Sequence, residues 1–142
     1  MTLFDTSNQR NSEMNYSIDT IVKMNFDEAI AATVEALKGQ GFGVLTEIDL
    51  KETFKKKLDV DFRNYRILGA CNPHFAFQAL AAEDKIGTML PCNVIIQEHE
   101  NGRVEVSAVN PMASMQAVEN AELAGIASEV NDKLKRVISS LN

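Results

Sequence analysis

The sequence predicts an α+β domain: a mainly antiparallel sheet of five strands with helices packed on one face. Three observations point there. Segments that alternate with period two take turns with segments of helical spacing, in the order β-α-β-α-β-α-β-β-α. The only two consecutive strands meet at Asn101-Gly102, the strongest short hairpin signal a sequence offers. The last helix carries Leu123, Ile126, Val130, Leu134, Val137 and Leu141 on one stripe, long enough to pack across a whole sheet.

The elements follow in order. Residues 1–14 are polar and aperiodic and read as an N-terminal arm; residues 15–142 read as one α+β domain. In 16–24, Ile18, Thr20 and Val22 alternate with Asp19, Ile21 and Lys23, which makes a first strand. Asn25 then caps a helix, with Glu28 three residues on as a capping box requires. Phe26, Ile30, Thr33, Val34 and Leu37 form its apolar stripe, and Gly39 and Gly41 bracket its end. The second strand, 42–49, sets Phe42, Val44, Thr46 and Ile48 on one face. Leu50, Phe54 and Leu58 recur every four residues in a short amphipathic helix. Its Lys55, Lys56 and Lys57 suit a helix C-terminus, with anion binding as the alternative.

The third strand, 65–71, places Ile67, Gly69 and Cys71 on one face and Arg66, Leu68 and Ala70 on the other. Gly69 inside it marks a bulge or a close backbone approach. Asn72 and Pro73 then open a helix running to about Lys85. That helix is apolar over much of its circumference, so a well-buried helix is expected. The fourth and fifth strands are 92–99 and 103–109. A two-residue turn pairs Val94 with Val109, Ile96 with Ser107 and Glu98 with Glu105. In that register both faces of the hairpin carry apolar residues, so the face away from the helices needs a cover, most simply a second copy of the chain. Asn110-Pro111 starts a short turn or helix, and Asn120 caps the long final helix.

Composition bounds the function. The chain has 142 residues and a net charge of −6, from 14 basic and 20 acidic side chains. That balance speaks against a nucleic-acid binder driven by bulk charge. No apolar run reaches the length of a membrane span, and the N-terminus does not read as a secretory leader. The expected compartment is the cytosol, with Cys71 and Cys92 as free thiols.

At GFGVLTEID, YRILGACNP, LPCNV and the late NPM, the chain resembles the family of domain of unknown function 302 (DUF302), over residues 16–141. The resemblance implies a compact α+β fold similar to the TATA-box-binding-protein architecture, often as a homodimer. It implies little about activity and leaves any cofactor unknown, and a shared architecture with a DNA-binding protein does not imply DNA binding.

If the third and fourth strands are antiparallel neighbours, the end of one lies beside the start of the other, and the fifth strand ends there too. Cys71, Asn72, Cys92, Asn93 and Asn110 then converge on one end of the sheet. The first expectation is a small-molecule or anion site built from these residues and the nearby helix starts. Asn72 and Asn110 also read as simple caps before proline. The second expectation is a thiol or soft-metal site made of Cys71, Cys92, Met112 and Met115, with His74 as a further ligand. Its alternative is that the cysteines are small buried hydrophobes and the methionines core filler. A third is a protein-interaction domain without catalysis. An enzyme ranks last. The histidines are His74 and His99, no nucleophile-plus-base motif appears, and Glu47 and Asp49 share a strand face where like carboxylates are mostly just solvated.

Overall fold

The computed structural model describes residues 15–142; the expected arm, 1–14, lies outside the described residues. The strands are β1 (Ser17–Val22), β2 (Gly43–Asp49), β3 (Tyr65–Cys71), β4 (Cys92–Glu98) and β5 (Val104–Val109). The helices are α1 (Phe26–Gly39), α2 (Leu50–Leu58), α3 (Pro73–Ala82), α4 (Pro111–Ser114) and α5 (Ala121–Ser139), with a 3₁₀ segment at Asp84–Met89. The five strands form one sheet in the order β1-β5-β4-β3-β2, and every neighbouring pair is antiparallel. The element order is the expected one.

Local chemistry sets the helix starts. Asn25 accepts a hydrogen bond from the Glu28 N–H, and Glu28 accepts one from the Asn25 N–H, completing the capping box of α1. Asn72, Asn110 and Asn120 cap α3, α4 and α5 by accepting from first-turn N–H groups, without the reciprocal bond of a capping box. Gly41 lies just beyond α1 with φ +86°, a left-handed conformation that favours glycine.

α1 and α5 cover one face of the sheet. Leu37 of α1 and Leu134 and Val137 of α5 meet Leu68, Val94, Ile96 and Val106 in a dry core. Each fully buried side chain of this size contributes about 1.5–3 kcal/mol.

Four expectations need correction. The hairpin register is one residue off: Val94 pairs with Ala108, Ile96 with Val106 and Glu98 with Val104. His99 and Arg103 close a three-residue loop in which Gly102 takes φ +85°. A one-residue slip moves every side chain to the other face. The true register puts Val94, Ile96, Val104, Val106 and Ala108 together on the core face. The opposite face keeps mainly polar groups beside Ile95 and Val109, so the two-sided apolar hairpin does not exist.

The second correction is in β2. The pairing shifts between Val44 and Thr46, so Val44 packs on the core while Thr46 and Ile48 turn to the open face. Gly69 stands opposite this bulge. A Cβ there would clash with Thr46 Oγ1 and lie 2.8 Å from Pro91 Cγ. The third concerns α3. It stops at Ala82, and only Ala79 is buried; Phe77 is 77% exposed and Leu80 45%. The fourth is that Glu47 and Asp49 are not merely solvated: both hold the Arg66 guanidinium, at 2.5 and 3.4 Å. The amphipathic α2 forms as expected, yet buries none of its residues.

Candidate functional site

β3 ends and β4 begins side by side, with Ala70 opposite Cys92. Cys71 is one residue further along β3, so the pleat sets it on the face opposite to that of Ala70 and Cys92, at the rim of the strand end. Above them lies α3, held at its start by the Asn72 cap and the Pro73 ring. From the other side come the start of α4 and the middle of α5. Between these elements is a narrow cavity of about 30 Å³. Cys71, Asn72 and Cys92 line it together with Phe42, Phe75, Leu90, Pro91 and Met115. The Leu90–Pro91 peptide is cis. A water occupies roughly 10–15 Å³ on this measure, so the space takes a small apolar group or a single ion.

The anticipated residues do not all meet. Cys71, Asn72, Cys92 and Met115 share the cavity. Asn93 points to the opposite face of the sheet, where it lines a broad cleft. Met112 is 46% exposed and lies in a separate groove beside α5. Asn72 Nδ2 donates to the Gln40 carbonyl at 3.4 Å while its Oδ1 caps α3. Asn110 Nδ2 donates to the Asn15 carbonyl at 2.9 Å, and its Oδ1 accepts from the Met112 and Ala113 N–H groups. Both carboxamides are therefore engaged in holding the local fold. His74 stacks edge-on against Phe75 rather than lining the cavity.

A match to known proteins now bears on these elements. A family model described as "Domain of unknown function DUF302" matches residues 18–141. The chain belongs to the DUF302 family. A crystal structure of an uncharacterized conserved DUF302 protein from Bacillus stearothermophilus is similar to it with a TM-score of 0.84 and 26% identity. That likeness covers 90% of this chain and 99% of the other. No curated protein matches the chain.

The electrostatics of this DUF302 cavity follow from its dryness. Burial pushes the Cys92 thiol up from 9.0 to about 11, and the neighbouring Cys71 adds to the rise. Cys92 is therefore a neutral thiol near pH 7, a poor nucleophile but a possible ligand once a metal displaces its proton. Among the described residues, no group of three or more His, Cys, Asp or Glu side chains is arranged to hold a metal. The sulfur-bearing residues of the cavity lining are Cys71, Cys92 and Met115.

The sequence reading missed the cleft on the face of the DUF302 sheet away from α1 and α5. It has a volume of about 410 Å³, and Tyr16, Asp19, Tyr65, Glu105 and Ser107 are among its lining residues. The correct hairpin register would have found it, because that register puts Glu105 and Ser107 beside Gln97 and Ile95 on one face.

Proposed function

We propose that this DUF302 domain is a cytosolic, homodimeric binding module rather than an enzyme, and that its ligand enters the cavity at the Cys71/Cys92 end. The observation that carries the proposal is the state of α3. Its inner side, Phe75, Ala76 and Ala79, lines the cavity. Its outer side leaves Phe77 and Leu80 in solvent, with Met89 of the following 3₁₀ segment 37% exposed. A helix that is apolar all round is stable when both sides are covered. A second copy of the chain on the outer side would supply that cover and fix the wall of the cavity.

The lining favours an apolar group over an anion, since the nearby asparagines are engaged as caps and the thiol of Cys92 is neutral. Arg66 ties up the one acid pair singled out in the sequence, which supports binding over catalysis. Free cysteines suit a reducing compartment. A second reading, a soft-metal site for Cu(I), rests on Cys71, Cys92 and Met115 being among the residues that line one ion-sized space.

Light scattering after size exclusion tests the dimer: the native chain elutes as a dimer and Phe77→Asp as a monomer. A native chain that is monomeric overturns it. Thermal melting with small alkyl compounds and with Cu(I) tests the cavity. A ligand at a hundred times its Kd adds about 2.7 kcal/mol, and Ala76→Leu, which fills the space, abolishes the shift. No shift for any compound removes the site, and a shift confined to Cu(I) selects the metal reading.

A further inference from the structure

Among the described residues, no helix covers the sheet face opposite α1 and α5, and that face holds a second cleft. Asp19, Ser107 and Ile95 stand in one cross-strand row, and Ile21, Glu105, Gln97 and Tyr65 in the next. Side chains directly opposite on one face have Cβ atoms about 4.5–5.5 Å apart. Ser107 thus forms the floor of the 410 Å³ cleft, with Asp19 beside it and Glu105 two positions along its strand.

Ser107 points to a ligand. It is only 7% exposed, yet its hydroxyl has no hydrogen-bond partner among the described residues. The hydroxyl oxygen itself stays accessible from the cleft, so a molecule held there can meet it. The small remaining exposure of Ser107 opens into the cleft it lines. The carboxamide of Asn93, an exposed residue on the same face, makes no hydrogen bond among the described residues.

The charge of the cleft selects the ligand class. Its lining includes two carboxylates, Asp19 and Glu105, and neither lysine nor arginine. Arg63, which contacts the lining residues Gln97 and Tyr65, is already engaged: its Nε donates to Gln97 Oε1 at 3.0 Å and its guanidinium lies over the Phe62 and Tyr65 rings. Glu105 shares a hydrogen bond with His99 Nε2 at 2.9 Å, while Asp19 has no ion-pair partner among the described residues. Two tyrosines complete the walls. Burial raises the Tyr65 hydroxyl above its usual range, Arg63 opposes the rise, and Tyr16 and Glu105 add to it. Carboxylates with aromatic faces and unmet neutral donors suit an organic cation.

We propose that this cleft binds a small organic ammonium ion that also carries a hydroxyl, with the cation between Asp19, Glu105 and the tyrosine rings and the hydroxyl on Ser107 and Asn93. The site is independent of the Cys71/Cys92 cavity, which lies on the other side of the sheet.

The test is a titration of the full-length chain with choline, followed by backbone amide NMR. Its uncharged isostere, 3,3-dimethylbutan-1-ol, is titrated in parallel. The expected result is saturable choline binding that moves the amides of Asp19, Asn93 and Ser107, with no saturable response to the neutral compound. Asp19→Asn and Glu105→Gln combined weaken binding about tenfold or more, equivalent to 1.4 kcal/mol. Ser107→Ala keeps the fold and gives a smaller loss, so the proposal remains testable should the double variant unfold. Equal binding of choline and its neutral isostere overturns the proposal, as does choline binding that Ser107→Ala and the double variant leave unchanged. Absence of any amide shift overturns it too.

Discussion

The two faces of this sheet are built from the same strands and obey opposite rules. On the covered face, Leu68, Val94, Ile96 and Val106 lie fully buried beneath α1 and α5. On the open face, Ile95, Ile67, Tyr65 and Ser107 are interleaved with Asp19, Gln97 and Glu105. Neighbours in β4, Ile95 and Ile96, differ by one position and by their whole environment. The difference separates stability from recognition. Close packing on one side holds the strands, which frees the other side to carry polar groups: Gln97 and Glu105 bond to Arg63 and His99 at its margin, and Asp19 and Ser107 make no side-chain hydrogen bond among the described residues. Open-face residues packed against nothing contribute little to folding, so their identities can serve a ligand.

The sharpest way to break this comparison is to truncate both neighbours. Ile96→Ala should cost about 2–5 kcal/mol in urea unfolding, since it leaves a cavity in a dry core. Ile95→Ala should cost well under half of that. Equal costs would show that the open face is covered in solution, which would also exclude a ligand from the cleft.

Gly69 is the place where the open face is dense. Gly69→Ala drives a methyl into Thr46 and Pro91, and overpacking of this kind costs about 1–3 kcal/mol. A melting temperature unchanged by this substitution would mean that Thr46 and Pro91 move apart freely.

The cavity end adds a pH test. The folded Cys92 pKa, about 11, lies above its ordinary value of 9.0. Between those values the folded chain retains a proton that the unfolded chain has released, so stability falls as pH rises through this window. Cys92→Ala should flatten that decline in unfolding curves taken at pH 8 to 11. In the native protein, iodoacetamide should modify half-buried Cys71 well before Cys92. Equal rates at neutral pH would place Cys92 outside a dry environment.

The smallest effect belongs to the acid pair. Arg66 is 22% exposed and Glu47 46%, so Glu47→Gln should cost about 1 kcal/mol or less and shrink further in high salt. A larger, salt-independent loss would mark the Glu47–Arg66–Asp49 cluster as part of the core.

Local patterns carried most of the fold. The capping box at Asn25 and Glu28, the Asn-Pro starts of α3 and α4 and the stripe of α5 are all contained within a few residues, and each forms as its pattern requires. The close approach at Gly69 was legible as well. Failures came where a single residue of geometry decides. The turn at Asn101-Gly102 was recognisable, but its loop length was not, and one residue inverted both faces of the hairpin. The bulge in β2 likewise depends on what faces it across the pairing, namely Gly69. The gathering of Cys71, Asn72 and Cys92 followed from strand adjacency, whereas the departure of Asn93 followed from the pleat, which sends successive side chains to opposite faces.

By itself, then, the sequence determined the element order, the helix starts and the neighbourhood of the two cysteines, because caps and periodicities act over one or two turns of chain. Only the tertiary structure decided which sheet face is dry, that α3 keeps an exposed apolar side, and that Ser107 lies nearly buried without a partner. Those outcomes depend on register and on which helices cover which face, and both are set by contacts between residues far apart in the chain.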